Sequence, residues 1–142
     1  MPEPEAVLFV CTMNAVRSPM AAALLRSLRP GLKVQSCGLE PGEPDFLMAA
    51  VMAELGLDLA GHTPHRMTDL KPGHFGLVVT LSPEAHHRAL EWTRSARTEV
   101  EYWATLDATA IEGSREQRLC AYRAVRDELL NKLRSRFQLA NA

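Results

Sequence analysis

Apolar runs along the chain alternate with segments that repeat apolar residues every three to four positions. The runs predict strands and the periodic segments predict amphipathic helices. The predicted strands are Ala6–Val10, Lys33–Ser36, Leu77–Leu81 and Val100–Trp103, and the predicted helices are Pro19–Leu28, Asp45–Leu55, Pro83 to about Ala96, and Arg115–Phe137. Because alternating strands and helices build parallel sheets covered on both faces, we expect an α/β fold with a four-stranded parallel sheet in the order 2-1-3-4.

The segments between these elements carry turn and cap signals. Gly56 is placed to end the second helix, and Ser82 is placed to cap the third. Residues 61–72 form a polar loop with a short helical turn near Thr68–Leu70, and Leu106–Ser114 is a second loop. No repeat or linker divides the sequence, so we expect residues 1–142 to form one domain.

Composition excludes several classes of function. The net charge of −1 gives no basic surface for nucleic acid or an anionic membrane, and no apolar run approaches the ~20 residues of a membrane-spanning helix. The acidic start Met1–Ala6 lacks the pattern of a signal peptide. Three cysteines, an odd number, do not form a disulfide framework. We therefore expect a cytoplasmic protein whose reducing surroundings keep its thiols reactive.

The segment Val7–Pro19 carries the candidate chemistry. An apolar strand runs into Cys11, Arg17 follows six residues later, and Ser18–Pro19 is a cap and first-turn pair for a helix. Such a strand–loop–helix turn points backbone N–H groups at one spot, where the helix dipole favours an oxyanion or a thiolate. Asn14 tolerates the left-handed backbone that this turn requires. The alternative is a buried cysteine at the end of a core strand, followed by a solvated arginine.

These residues resemble a known family. Cys11–Pro19 is similar to the active-site loop of low-molecular-weight protein tyrosine phosphatases and of the related thioredoxin-coupled arsenate reductases. The resemblance continues in Ser36–Gly38 after the second strand, in Glu54–Asp58 at the end of the second helix, and in Trp103–Asp107, where the family carries its Asp-Pro acid loop. It therefore covers nearly the whole chain.

The resemblance implies the roles of the site residues. Cys11 is the nucleophile that forms a thiophosphoryl intermediate, Arg17 holds two oxygens of the phosphoryl group, and Asp107 protonates the leaving oxygen. The remaining members of the loop bind the substrate through backbone N–H groups or, for the serine, through its hydroxyl; they are Thr12, Met13, Asn14, Ala15, Val16 and Ser18. We also expect Ser18 to donate to the Cys11 thiolate or to cap the helix, or both.

Two departures from the family pattern affect these roles. Met13 replaces a common glycine of the loop, which alters how closely a substrate approaches the backbone. Ala108 replaces the proline after the acid, so we expect a less constrained acid loop. Asp107 also has a structural alternative as a turn cap, and Asp45, Asp58 and Asp69 are further candidates for the acid, each near a helix end where capping explains it.

Aromatic, apolar and histidine side chains support weaker assignments. Tyr102 and Trp103 either line the mouth of the cleft or pack in the core, and Met13, Val16 and Phe46 are candidates for an apolar rim. The five histidines lack metal-binding spacing and are interpreted as solvated surface residues: His62, His65, His74, His86 and His87. No metal site is expected, and the absence of a phosphate-binding glycine motif implies no nucleotide cofactor.

The loop is compatible with three functions, of which two are enzymatic and one is binding alone. The first is a phosphatase acting on a phosphotyrosine protein, an aryl phosphate or a small phosphate monoester, with phosphate or sulfate able to bind the loop. The second is an arsenate reductase, but Ser82 stands at about the position of the first relay cysteine, and a hydroxyl does not exchange with a disulfide. Cys37 beside the loop is a candidate to resolve an oxidised Cys11, and Cys120 lies in the last helix. The third is a non-catalytic phosphate or phosphoprotein binder.

Overall fold

Four parallel strands form the central sheet of the computed structural model, which describes residues 4–94 and 96–137. The strands are β1 (Ala6–Cys11), β2 (Lys33–Gly38), β3 (Leu77–Thr80) and β4 (Glu99–Tyr102). Their order is β2-β1-β3-β4, so the predicted fold class and strand order are confirmed. In the register of β1 with β2, Val10 is paired with Cys37 and Cys11 with Gly38.

Four helices connect or follow these strands. They are α1 (Arg17–Leu28), α2 (Phe46–Ala53), α3 (Pro83–Ala89) and α4 (Arg115–Arg136). Single 3₁₀ turns lie at Met67–Asp69, Pro72–His74, Leu90–Arg94 and Ala108–Ala110. Side-chain caps begin three of the helices: Asp45 accepts from the N–H of Met48 at 2.9 Å, Ser82 from Ala85 at 3.3 Å, and Ser114 from Gln117 at 3.1 Å.

The third helix is shorter than the sequence predicts. Its α-helical part ends at Ala89, and the chain continues as a 3₁₀ segment over Leu90–Arg94 instead of reaching Ala96 as helix. The Thr93 hydroxyl donates to the carbonyl of Leu90 at 2.7 Å, and such side-chain bonds to the backbone compete with regular helix. At the end of α2, Gly56 lies at φ +78°, a conformation that suits its predicted role in ending the helix.

The side chains of β1 alternate between two separate cores. Val7, Phe9 and Cys11 face the core built with α1, α2 and α4. Leu8 and Val10 face the smaller core on the other side of the sheet, which contains residues of α3 and the buried Cys37. The thiols of Cys11 and Cys37 therefore belong to opposite faces of the sheet.

No helix within the described residues combines the length and apolar character needed to cross a membrane.

Candidate active site

Cys11 is the last residue of β1, a central strand of the sheet. The chain leaves β1 towards β2 on one side, and β3 lies on the other side, so the strand order reverses at the end of β1. Ligands bind at such switch points in open α/β sheets, because the connecting loops diverge there and leave a crevice. The loop Thr12–Val16 fills this position and leads directly into α1. Cys11 itself is only 2% exposed.

Two hydrogen-bond partners surround the Cys11 sulfur. The Asn14 backbone N–H donates to Sγ at 3.2 Å, and Ser18 Oγ lies 2.9 Å from Sγ. Ser18 Oγ also accepts a bond from Asn14 Nδ2 at 2.7 Å and lies 3.3 Å from the carbonyl oxygen of Cys37. Because an ionised sulfur only accepts, the Ser18 hydroxyl donates to Sγ whenever Cys11 is a thiolate.

The predicted capping role of Ser18 is wrong. Helix α1 begins at Arg17, its N-cap position is Val16, and no side chain caps it. Ser18 is therefore inside the first turn, fully buried, and its hydroxyl is committed to Cys11 and Asn14. The free N–H groups of the first turn are left for another acceptor.

Asn14 holds the loop in shape. Its φ of 53° is left-handed, as the sequence predicts, and the residue is fully buried. Every polar group of Asn14 has a partner: beyond its bonds to Cys11 and Ser18, its Oδ1 accepts from the His65 N–H at 2.8 Å and its carbonyl oxygen lies 2.8 Å from His62 Nε2. A carbonyl only accepts, so His62 Nε2 carries a hydrogen.

Two of the five histidines are not solvated surface residues, which corrects the prediction. His62 is partly buried against the loop, and this burial lowers the pKa of its imidazole. His86 Nδ1 lies 2.9 Å from Thr80 Oγ1, and its ring stacks on Tyr102 at 5.0 Å. No local pattern in the sequence indicates either contact. His62 and Asn14 are 48 positions apart, and the stacking of His86 on Tyr102 depends on the packing of β4.

Among residues 4–94 and 96–137, no three His, Cys, Asp or Glu side chains converge as metal ligands.

Gly38 permits the close approach of β2 to the loop. A Cβ at this position would lie 2.6 Å from the Asn14 nitrogen, 2.8 Å from the Met13 carbonyl carbon and 2.9 Å from the Thr12 oxygen. All three neighbours are backbone atoms, which cannot move aside as a flexible side chain does. The glycine of the Ser36–Gly38 segment is therefore required by packing against the loop.

Arg17 is a buried cation. Its side chain is folded so that Nη1 donates to the carbonyl oxygens of Thr105 at 3.2 Å and Leu81 at 3.5 Å, and the residue is 8% exposed. No carboxylate within the described residues forms an ion pair with Arg17, and none of those residues accepts from its Nε or Nη2. Burying a charge without a counter-charge is costly, so this geometry fits a site that binds an anion.

The loop N–H groups add to this anion site. Asn14 gives its N–H to Sγ, whereas the N–H groups of Met13, Ala15 and Val16 find no acceptor in the described part of the chain. They lie in the segment between Cys11 and the N-terminus of α1. Backbone donors of this kind, together with the helix dipole, stabilise oxyanions.

Ser82 connects the loop to the next strand. Thr12 Oγ1 donates to Ser82 Oγ at 3.0 Å, while the same serine caps α3. The position that the family resemblance gives to the first relay cysteine is thus directly beside the loop, and here it carries a hydroxyl.

Asp107 lies between the loop that follows β4 and a 3₁₀ turn. It is the cap of the turn Ala108–Ala110: its Oδ1 accepts from the Thr109 N–H at 3.0 Å and from Thr109 Oγ1 at 2.6 Å. Ala108 is fully buried in the larger core. Thr105, two residues before Asp107, supplies the carbonyl that holds Arg17. Three kinds of contact therefore hold this loop, which lacks the proline of the family pattern.

The alternative acids are engaged elsewhere. Asp45 accepts from the N–H of Met48 and, through Oδ2, from the Tyr122 hydroxyl at 2.7 Å, which ties α2 to α4. Asp58 accepts from the N–H of Ala60 at 3.1 Å, and Asp69 lies in the 3₁₀ turn before β3.

The predicted apolar rim is only partly present. Met13 is 37% exposed and Phe46 is 85% exposed, but Val16 is buried and offers only its backbone. Leu106, next to Asp107, is 54% exposed and was not predicted. Of the two aromatic candidates, Trp103 packs on Phe9, with ring centres 6.2 Å apart, while Tyr102 stays exposed and stacks on His86.

A cavity of about 650 Å³ is lined by neither Cys11 nor Arg17. It shares Pro19 and His62 with the surroundings of the loop, and Asp58, Asp69 and Arg26 complete its charged lining. The cavity is therefore not the crevice above the candidate nucleophile and cation.

The other two thiols are unsuited to exchange with Cys11. Burial, with a smaller contribution from Cys11, raises the pKa of the Cys37 thiol to about 12. The side chain of Cys37 also points into the core on the opposite face of the sheet, and two cysteines whose side chains point apart form no disulfide without backbone movement. Cys120 is exposed on α4. This geometry disfavours Cys37 as the resolving partner of Cys11.

Comparisons with known proteins agree with this arrangement. The family model described as "Low molecular weight phosphotyrosine protein phosphatase" matches residues 6–138. The low-molecular-weight protein-tyrosine-phosphatase Etp of Escherichia coli strain K12 is 36% identical over 81 residues, which are 55% of this chain and 55% of that protein. The arsenate reductase of Bacillus subtilis strain 168 is 28% identical over 133 residues, covering 93% of this chain and 94% of that protein.

A solved structure is similar over almost the full length. The structure described as an arsenate reductase in the phosphate binding state superposes with a TM-score of 0.78 and 25% identity, covering 96% of this chain and 99% of that one. Four curated relatives, the Etp phosphatase among them, are matched over only 55–66% of their own length.

Proposed function

Because the chain belongs to the low-molecular-weight phosphotyrosine protein phosphatase family, we propose that it is a cysteine-dependent phosphatase that hydrolyses phosphate monoesters. One observation carries the proposal: the buried Arg17, which has no carboxylate partner among residues 4–94 and 96–137, begins the helix whose first turn also presents Ser18 to the Cys11 sulfur. A cation, a nucleophile and free backbone donors thus share one loop.

The first step transfers the phosphoryl group to the enzyme. Cys11 Sγ attacks phosphorus as the bond to the leaving oxygen breaks, and Asp107 gives its proton to that oxygen so that the alcohol or phenol leaves neutral. The Nε and Nη2 groups of Arg17 hold two equatorial oxygens, since Nη1 is occupied by the carbonyls of Thr105 and Leu81. The backbone N–H groups of the loop and the other hydrogen-bond donors between Thr12 and Ser18 stabilise the remaining negative charge of the phosphoryl oxygens.

The second step returns the thiolate. Water attacks phosphorus, the ionised Asp107 accepts a proton from that water, and the S–P bond breaks to release inorganic phosphate. The Ser18 hydroxyl and the Asn14 N–H stabilise the departing thiolate, because both are placed within hydrogen-bond distance of Sγ.

The proposed substrates are phosphotyrosine in proteins or other aryl phosphates. The apolar side chains of Met13 and Leu106 are exposed beside the candidate nucleophile and acid, and they suit an aromatic leaving group. Phosphate, sulfate and related oxyanions are expected to bind the same loop as products or inhibitors. Neither nucleic acid nor a membrane surface is a proposed partner.

Arsenate reduction is the second candidate, because the similar proteins include arsenate reductases. Reduction by disulfide relay requires a further thiol beside the nucleophile. Ser82 occupies the neighbouring position, and Cys37 faces away from Cys11. These two features favour hydrolysis over reduction.

The proposed location is the cytoplasm. All three cysteines are free, and a reducing compartment keeps Cys11 in its reactive form.

Hydrolysis of para-nitrophenyl phosphate tests the proposal. We expect turnover by the wild-type protein, none by Cys11→Ser, and unchanged turnover by the control Cys120→Ser, whose thiol is exposed on α4. Arg17→Lys should weaken inhibition by inorganic phosphate several-fold, because a lysine cannot provide the planar pair of donors. Binding of phosphate without hydrolysis would identify a non-catalytic binder, and arsenate reduction without hydrolysis would identify a reductase.

A further inference from the structure

We propose that Thr109 is a positioning residue for the general acid, replacing the constraint that the absent proline gives to the family's acid loop. This inference rests on the proposed function, since it assigns a role relative to Asp107. The contacts of Asp107 carry it. Both hydrogen bonds that the structure gives to its carboxylate come from Thr109, one from the backbone and one from the hydroxyl.

The two bonds fix which oxygen carries the proton. Both donors meet Oδ1, and the hydroxyl bond is short at 2.6 Å. An oxygen that accepts two bonds is a poor position for a proton, so the neutral acid carries its proton on Oδ2. No described residue contacts Oδ2 through a hydrogen bond. Thr109 thus orients the Asp107 carboxyl group so that the O–H at Oδ2 is free to donate its proton to the leaving oxygen.

The rest of the turn supports this placement. Ala108 buries its methyl group in the larger core, which anchors the backbone between Asp107 and Thr109. On the other side, the Thr105 hydroxyl donates to the Trp103 carbonyl at 2.8 Å, while the Thr105 carbonyl binds Arg17. The backbone is therefore held on both sides of Asp107, and the Thr109 hydroxyl sets the rotation of the carboxylate itself.

Thr109→Val tests this role, because valine has the same shape and lacks only the hydroxyl donor. The side chain of Thr109 is exposed, so the change leaves no buried group unpaired. We expect kcat/KM for phenyl phosphate, whose leaving group needs a proton, to fall by about 3- to 10-fold, since this constant covers only the steps up to phosphoryl transfer to Cys11. For para-nitrophenyl phosphate, which needs little protonation, kcat/KM should change by less than about two-fold. Inhibition by phosphate should stay unchanged.

Three controls separate positioning from general damage. Thr109→Ser restores the hydroxyl and should restore the rate with phenyl phosphate. Thr93→Val removes another exposed threonine hydroxyl bond, to Leu90 in the segment after α3, and should leave both substrates unaffected. In an Asp107→Asn background, Thr109→Val should add no further dependence on the leaving group.

The outcomes distinguish the two proposals. Equal losses of kcat/KM for both substrates in Thr109→Val, or no recovery of kcat/KM for phenyl phosphate in Thr109→Ser, would overturn the positioning role while leaving the phosphatase intact. An Asp107→Asn enzyme with unchanged rates on phenyl phosphate would overturn Asp107 as the acid and the role of Thr109 with it. Loss of about 10²- to 10⁴-fold in that variant supports the acid.

Discussion

At the scale of single residues, Asn14 and Gly38 build the loop together. Asn14 adopts a left-handed conformation that most residues avoid, and bonds to Cys11, Ser18, His62 and His65 hold it there. Gly38 lets these groups meet, because its missing side chain leaves space for the loop backbone. The donors to the Cys11 sulfur therefore depend on the absence of a side chain at Gly38.

Gly38→Ala tests this dependence. The added methyl group would lie under 3.0 Å from three backbone atoms of the loop, so the loop must move. We expect kcat/KM to fall by about 10²-fold or more, because small displacements of catalytic groups are costly, and the free energy of unfolding to fall by about 1–3 kcal/mol. Steady-state kinetics and urea unfolding measure the two effects.

Gly31→Ala is the matched control, since a Cβ there meets nothing within 4 Å. Its activity and stability should match those of the wild-type protein. A Gly38→Ala protein with normal kinetics would show that the tight contact between β2 and the loop is not needed for catalysis.

At the scale of elements, a cluster of charges joins α2 to α4. Glu54 at the end of α2 accepts from Arg123 at 2.9 Å and from Arg126 at 2.8 Å, both on α4. These hydrogen bonds lower the pKa of the Glu54 carboxyl to about 2. Arg126 also donates to the carbonyl of Val51, so the cluster fixes the end of α2 against the longest helix.

The Glu54 cluster predicts a dependence of stability on pH. The folded carboxyl holds its proton less tightly than the unfolded one, whose pKa is near 4.5. Its contribution is therefore complete above pH 4.5 and disappears as the pH falls towards 2. We expect Glu54→Gln to lower the thermal midpoint at neutral pH, and the difference from wild type to shrink below pH 4.5.

Glu112→Gln, a change at an exposed carboxylate, controls for the lost charge. Its midpoint should follow that of the wild type at every pH. A constant difference between Glu54→Gln and wild type from pH 7 to pH 3 would contradict the assigned role of this carboxylate.

Elements with a strong local pattern were predictable from the sequence. The buried run of β3 and the periodic α4 agree closely with their predicted bounds, because each depends on its own apolar residues. The predicted end of α3 was wrong, as described above for Thr93. The predicted start of α1 was wrong for a different reason. Ser18 has the residue type of a cap, but its hydroxyl is used by Cys11, and that contact needs the folded loop.

At the scale of the whole molecule, strand order decides which candidates meet. The crossing from β1 to β2, and the return of the chain to β3 on the other side, bring Leu81 and Thr105 to the guanidinium of Arg17. The nucleophile loop itself was visible in the sequence as a strand followed by Cys11, Arg17 and a helix. The catalytic assignments of Cys11, Arg17 and Asp107 stay predictions until they are tested by substitution.

Contacts between segments that are distant in the chain could not be predicted from the sequence. His62 reaches Asn14 across 48 positions, and Arg17 reaches Thr105 across 88. Neither pair follows from a periodicity or a short motif. In contrast, Thr109 is only two positions from Asp107. Turn capping by Asp107 is predicted from the sequence as its structural alternative, and the structure shows it, but Thr109 was not predicted as the donor.

Trapping of the phosphorylated enzyme tests the central claim most directly. The wild-type protein is mixed with para-nitrophenyl phosphate, quenched within milliseconds and measured by intact mass spectrometry, and the modified peptide is then mapped. We predict one added phosphoryl group on the sulfur of Cys11, its absence in Cys11→Ser, and a burst of para-nitrophenol equal to the enzyme concentration when the second step is slower than the first. Hydrolysis without any phosphoryl adduct on Cys11, or an adduct that persists in Cys11→Ser, would contradict the account.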